Sequence, residues 1–170
     1  LYGLPENDPK ARIVVVPVPF DATTSYRSGT RNGPAAILQA SYQIDLYDID
    51  FGDPWKKGIV MLPLDRGLAR KVGSLNTEAR RYSAPVIASG GASGNRKALN
   101  EVNRRGARVN ELVEETVADL LAHGRMPVVL GGDHSTPFGA IRAYAARYPG
   151  LGILHIDAHA DLRDAYEGFM

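Results

Sequence analysis

The chain has 170 residues, a formal net charge of +1, 44% hydrophobic and 23% charged residues, the balance of one globular domain. Near-neutral charge gives no electrostatic basis for binding nucleic acid, and the absence of cysteine excludes disulfides and thiolate metal sites. The longest apolar run, Ile13 to Phe20, is interrupted by Pro17 and Pro19 and is too short for a bilayer. No charged-then-apolar leader opens the chain, so neither a membrane nor secretion is expected, and a cysteine-free composition fits the cytoplasm. Leu1 in place of Met, and an end at Tyr166 to Met170 with no cap or closing element, read as the N-terminal part of a single domain, incomplete at the C-terminus.

Residues 12–20 (RIVVVPVPF) are rich in β-branched side chains and predict a strand buried on both faces. A polar, glycine-containing loop follows over 21–33, and Pro34 suits the first helical position of a helix over 34–44. Residues 45–50 (DLYDID) alternate as a half-exposed strand would; 58–64 (GIVMLPL) read as another strand, weakened by Pro63. Residues 66–98, with clustered basic residues and SAPVIASGGASGNRK, read as an irregular insertion or long loop. In 100–123, Val102, Val109, Leu112, Val113, Val117, Leu120 and Leu121 recur at helical spacing, and Gly124 supplies the stop. A strand is predicted at 126–130, then a helix from Pro137 capped by Thr136 and ending at Pro149-Gly150, then a strand at 151–156. Helix–strand–helix–strand order implies right-handed crossovers and a parallel sheet, placing the chain in the α/β class.

Two of these strands end in unusual chemistry: GGDHS at 131–135 and DAHAD at 157–161. Ligand sites of open α/β sheets lie at the carboxyl ends of strands. In an extended segment Asp157, His159 and Asp161 project to one side at roughly 6.6 Å intervals, leaving Ala158 and Ala160 on the other. Placing two carboxylates so close is costly unless a cation neutralises them. Carboxylate with imidazole suits Mn²⁺, Fe²⁺, Ni²⁺ or Zn²⁺, and oxygen-rich sites lean towards Mn²⁺. His134, Asp157, His159 and Asp161 are therefore the candidate metal ligands. Asp133 is read as a hydrogen-bonding support, His123 as a surface residue at a helix end, and His155 as a satisfied histidine of the strand core.

The two motifs resemble the first two of three metal motifs in the ureohydrolases, the arginases, agmatinases and their relatives. PFDATTSYRSGTRNGPAAI at 19–37 and DAHADLRDAYEG at 157–168 are similar to the agmatinase branch. The resemblance implies a three-layer α/β/α fold with a mainly parallel sheet, and two Mn²⁺ per subunit in the complete protein. His134 and Asp161 would hold one ion, His159 the other, and Asp157 would bridge them. It further implies hydrolysis of a small guanidino compound to urea and an amine, by hydroxide made available between two divalent ions. A trimer or hexamer is also implied. Arginases carry an Asn soon after the second motif; Arg163-Asp164 stands at the comparable place here, which favours agmatine, with guanidinobutyrase, arginase or formimidoylglutamase-like activity as alternatives. The family's third motif, S-x-D-x-D, supplies two more aspartates, and a proton-shuttling histidine follows the second; neither occurs in this sequence. The chain alone is therefore expected to be inactive, and a non-catalytic fragment keeping a partial metal site is the reading of another class. Catalytic and substrate-binding residues are left unassigned.

Overall fold

The computed structural model describes residues 1–5, 8–91 and 95–170. Among the described residues three strands form one parallel sheet in the order β2-β1-β3, with β1 at Ile13–Val18, β2 at Ile59–Met61 and β3 at Met126–Gly131. In the central strand Val14, Val16 and Val18 are fully buried on one face, whereas Ile13 and Val15 on the other are only partly covered, so the burial on both faces that the composition predicts is met in part. Ile13 pairs with both Ile59 and Met126, and pairing to β3 continues until Val18 lies beside Gly131. The carboxyl ends of β1 and β3 thus finish level, which sets the loop after Val18 against the GGDHS loop. Parallel neighbours require crossovers, and the α/β class read from the sequence is the one observed.

Four α-helices supply the packing: α1 Gly33–Ala40, α2 Gly67–Ala88, α3 Arg96–Ala122 and α4 Phe138–Arg147 among the described residues. Pro34 sits in the first turn of α1 as expected, and a 3₁₀ turn over Ser41–Gln43 continues it. In α3 the side chain of Asn95 accepts the Ala98 N–H at 3.0 Å, and Gly124, at φ 71°, ends the helix. Val102, Val109, Leu112, Val113, Val117 and Leu121 face inward as their spacing predicts, with Leu120 packed at the edge. One core joins Val14, Val16 and Val18 of β1 to Val72 and Ala79 of α2, Val109, Val113 and Val117 of α3, and Ala140 and Ala143 of α4. A smaller cluster of Val86, Ala98, Val102 and Phe169 fixes the end of the chain onto α2 and α3.

Several expectations need correction. The stretch 66–98 is not an irregular insertion: Gly67–Ala88 is a 22-residue helix and the next helix begins at Arg96, while Ala92, Ser93 and Gly94 lie outside the described residues. Residues 45–50 form no strand. Asp48 makes only an isolated bridge to Gly52, and its carboxylate accepts the N–H groups of Asp50 and Phe51 at 2.9 Å each, which turns the chain instead of extending it. The strand at 58–64 is trimmed to Ile59–Met61, before Pro63. Residues 151–156 join no strand, and Ile153, Leu154 and Ile156 are 62%, 86% and 88% exposed. An apolar run records a need for burial, but a strand also needs a neighbour, and none of the described strands pairs with it. Among the described residues no helix is long and apolar enough to cross a membrane.

Candidate metal centre

β3 delivers GGDHS to the end of the sheet, and its two glycines are required there by space. A Cβ on Gly132 would lie 2.0 Å from the carbonyl oxygen of Phe20, and one on Gly131 would lie 2.0 Å from Oγ1 of Thr136. This close approach lets the Asp133 N–H donate to the Phe20 carbonyl at 2.8 Å, locking the motif to the end of β1. The Asp133 carboxylate is a clamp, as expected of a supporting residue. Oδ2 accepts the N–H and hydroxyl of Thr23 at 3.0 and 2.6 Å, and Oδ1 accepts the N–H and hydroxyl of Ser135 at 3.1 and 2.6 Å. Thr136 does not cap α4. Its hydroxyl donates to the Asp133 carbonyl at 2.9 Å, and the helix starts at Phe138. His134 is left projecting beside an open cleft lined by Val129, Gly131, Gly132, Thr136 and Pro137.

The support extends to residues that sequence reasoning left unassigned. Asp21, fully buried, accepts hydrogen bonds from the Asn76 side-chain amide at 3.0 Å and the Gly29 N–H at 2.7 Å, while Asn76 accepts the Asp21 N–H at 2.8 Å. The pair ties the loop after β1 to α2. An acid directly following a buried strand is the available signal for Asp21; nothing in the sequence marks Asn76.

DAHAD is not the extended segment that its alternation suggests. Asp157 Oδ1 accepts the His159 N–H at 2.8 Å, which bends the backbone, and Asp161 has φ 49°, in the left-handed region. The bend breaks the one-sided row and brings Asp157 and Asp161 together around His134. Oδ2 of Asp157 and Oδ2 of Asp161 lie 3.4 and 3.5 Å from His134 Nδ1. His159 stands apart from this group, with Nδ1 3.2 Å from the other oxygen of Asp157, Oδ1. His155 is not the core histidine expected. Its side chain is 40% exposed, and its Nε2 lies 3.3 Å from Asp161 and 3.9 Å from Asp157. The Asp157 carboxyl is held below the usual range, first by the His159 N–H and then by the His159, His134 and His155 rings.

One donor atom from each of His134, His155, Asp157 and Asp161 lies within 4.8 Å of the others. Ligands about 2.1 Å from one ion stand about 3 Å apart when adjacent and about 4.2 Å apart when opposite. The set therefore fits a single divalent cation, and two carboxylates with two imidazoles match its charge and its preference for mixed oxygen and nitrogen donors.

Residues 11–169 match the sequence profile of the Arginase family. The chain belongs to that family. It is 33% identical to an agmatinase of Bacillus anthracis over 159 residues, 94% of this chain and 43% of the relative. It is 32% identical to an N(1)-aminopropylagmatine ureohydrolase of Synechocystis over 160 residues, 93% and 43% of the two chains. An N(1)-aminopropylagmatine ureohydrolase of Thermus thermophilus is 30% identical over 159 residues, again 94% and 43%. The chain thus spans less than half the length of these relatives. No solved structure is a significant match. The parallel three-stranded sheet with its helices agrees with the α/β fold of the family.

Proposed function

We propose that the complete protein carrying this chain is a ureohydrolase that splits a guanidino compound into urea and an amine, agmatine into urea and putrescine first among them. The observation that carries the reading is the approach of Asp157 and Asp161 to His134 at 3.4 and 3.5 Å, in a chain that belongs to the Arginase family. His134 and Asp161 would hold one Mn²⁺ and His159 a second. Asp157 would serve both, since one of its oxygens faces His134 and the other faces His159. The ions, when bound, lower the pKa of water so that a nucleophile is available near neutral pH. Asp133 does not touch the reacting atoms; it keeps the His134 loop fixed to Thr23 and Ser135. Departure of the amine needs a proton, delivered either through Asp161 or through the proton-shuttling histidine of the family pattern. A homo-oligomer, trimer or hexamer, working in the cytoplasm in polyamine synthesis, goes with this reading.

The names of the relatives favour a decarboxylated guanidine over arginine, and N(1)-aminopropylagmatine is the second substrate they suggest. Urea release by the complete protein should show kcat/KM for agmatine at least about tenfold above arginine, about 1.4 kcal/mol in transition-state binding. Preference for arginine would refute the branch and leave the family standing. Preference for aminopropylagmatine would move the substrate while keeping the reaction.

A further inference from the structure

We propose that Asp21 is a positioning residue for the reaction: it shapes the loop between β1 and α1 and, through Thr23, fixes where the GGDHS motif presents His134. The inference rests on the ureohydrolase reading of the site and is independent of which guanidine is hydrolysed. Asp21 is fully buried just beyond the central strand, and its carboxylate is turned onto two N–H donors. Oδ2 accepts the Gly29 N–H at 2.7 Å, which folds the loop back onto its own start. Oδ1 accepts the Asn76 amide of α2 at 3.0 Å, and Asn76 Oδ1 accepts the Asp21 N–H at 2.8 Å. Thr24 closes the first turn, its hydroxyl donating to the Asp21 carbonyl at 3.0 Å. Between these ties stands Thr23, whose N–H and hydroxyl donate to Asp133 Oδ2 at 3.0 and 2.6 Å. Asp133 directly precedes His134, so the path from the buried acid to the candidate ligand is short.

The backbone shows a loop that is held in place. Arg27 at φ 51° and Gly29 at φ 141° adopt conformations that L side chains rarely take, and such conformations persist where surrounding contacts fix them. The hydrogen bonds also explain why the residue is an acid. Both oxygens of Asp21 face donors, so the position needs a side chain that only accepts; an asparagine there would set an amide nitrogen against an N–H. Burying a carboxylate is costly, and a loop that only had to turn could do so with an exposed acid, as Asp48 does for Asp50 and Phe51. Exchanging the side chains of Asp21 and Asn76 keeps all three bonds possible. The amide at 21 would donate to the carboxylate at 76 and accept the Gly29 N–H, and the second carboxylate oxygen would accept the backbone N–H of residue 21.

The test uses the complete protein, assayed well below the thermal midpoint of each variant. Asp21→Asn should lower kcat for urea release from agmatine at least about tenfold, with KM within about threefold and manganese content unchanged. The double variant Asp21→Asn/Asn76→Asp should return kcat to within about threefold of the parent. Thr23→Val, which removes the hydroxyl from Asp133, should repeat the fall in kcat, and Thr23→Ser should restore it. In the metal-free protein the NMR signals of the His134 ring should shift in Asp21→Asn and Thr23→Val and return in the double variant. A residue that only stabilised the fold would lower the midpoint and leave both kcat and these signals in place. Parental kcat with unmoved His134 signals, in Asp21→Asn or in Thr23→Val, would overturn the proposal, as would a loss that the double variant fails to reverse. Where a variant at Asp21 does not fold, the two Thr23 variants decide. If the parent released no urea from any guanidine, the ureohydrolase reading would fall, and the His134 signals would still decide whether Asp21 positions that ring.

Discussion

The two halves of the candidate centre are built by opposite means. GGDHS stands on β3, paired along its length to a strand in which Val14, Val16 and Val18 are fully buried, and its Asp133 carboxylate is fastened to Thr23 and Ser135. DAHAD lies in a stretch between the end of α4 and the anchor at Phe169 in which residues 149–166 are all exposed, with the bend at Asp157–His159 as its visible support. Packing fixes the first motif. The second is organised by its own turn and, on the reading proposed here, by the charge it shares with a cation. Substitutions of the packed residues of the first motif should therefore act through stability, and those in the second, like those of His134, through metal.

The largest effect is expected in the second motif. Asp157→Asn should cut urea release by the complete protein at least about 10³-fold, about 4 kcal/mol, and lower its manganese content, since each oxygen of Asp157 faces a different histidine. The metal-free thermal midpoint should hardly move. Full activity with two manganese ions per subunit would remove Asp157 from the site.

In the first motif the order reverses. Gly132→Ala would place a methyl group 2.0 Å from the Phe20 carbonyl oxygen, which backbone at the end of β1 cannot yield cheaply. A loss of about 3 kcal/mol is expected, lowering the midpoint of a domain this size by roughly 6–12 °C. Ala158→Ser in the exposed motif should stay within about 0.5 kcal/mol. Comparable losses from both, read by thermal unfolding, would erase the distinction between the motifs.

The same contrast explains what the sequence could reveal. β1, β3 and α3 carry large apolar side chains at the period of their structures, so Val14, Val16, Val109, Val113 and Val117 are all legible. α2 obeys its period equally well but writes it in small and polar residues. Ala69, Val72, Asn76, Ala79, Ser83 and Val86 form its buried face, and Pro85 falls within its last turn. Hydrophobicity does not display such a face, so the helix reads as a loop. Residues 151–156 fail the other way, since their apolar character is plain but pairing depends on a partner strand. Of the candidate ligands, His134, Asp157 and Asp161 come together and His159 sits beside them. His155 reads as a core residue only because burial is inferred from a strand that does not form.

Asn76 sharpens the comparison further, since it lies far from both motifs in sequence and yet steadies the loop that the first one grips. Asn76→Ala would leave the buried Asp21 carboxylate with the Gly29 N–H but without its amide partner, and the Asp21 N–H without an acceptor. A loss of about 2 kcal/mol in urea or thermal unfolding is expected. Metal affinity at the exposed motif should change less than it does for Asp157→Asn; the reverse order would mean that α2 governs the site directly.

The smallest effect belongs to the packed region and is a matter of pH. Arg105 of α3, only 8% exposed, lies over the Tyr82 ring at 5.1 Å, reaches Glu78 of α2 at 3.1 Å, and pairs with Glu101 one turn back. Hydrogen bonds from Arg104 and then Arg105 hold the Glu101 carboxyl at about 2, below its usual 4.5. A carboxyl whose pKa is lowered by folding stabilises the fold fully above the usual value, and that contribution fades as the pH falls from about 4.5 towards 2. Salt and solvent reach this pair, so the gain is modest and should shrink at high ionic strength. Glu101→Gln should lower the thermal midpoint slightly at pH 7 and less at pH 3, where the parent has begun to lose the same interaction. A deficit that widened on acidification would have the wrong sign for a depressed carboxyl and would remove Glu101 from the link between α2 and α3.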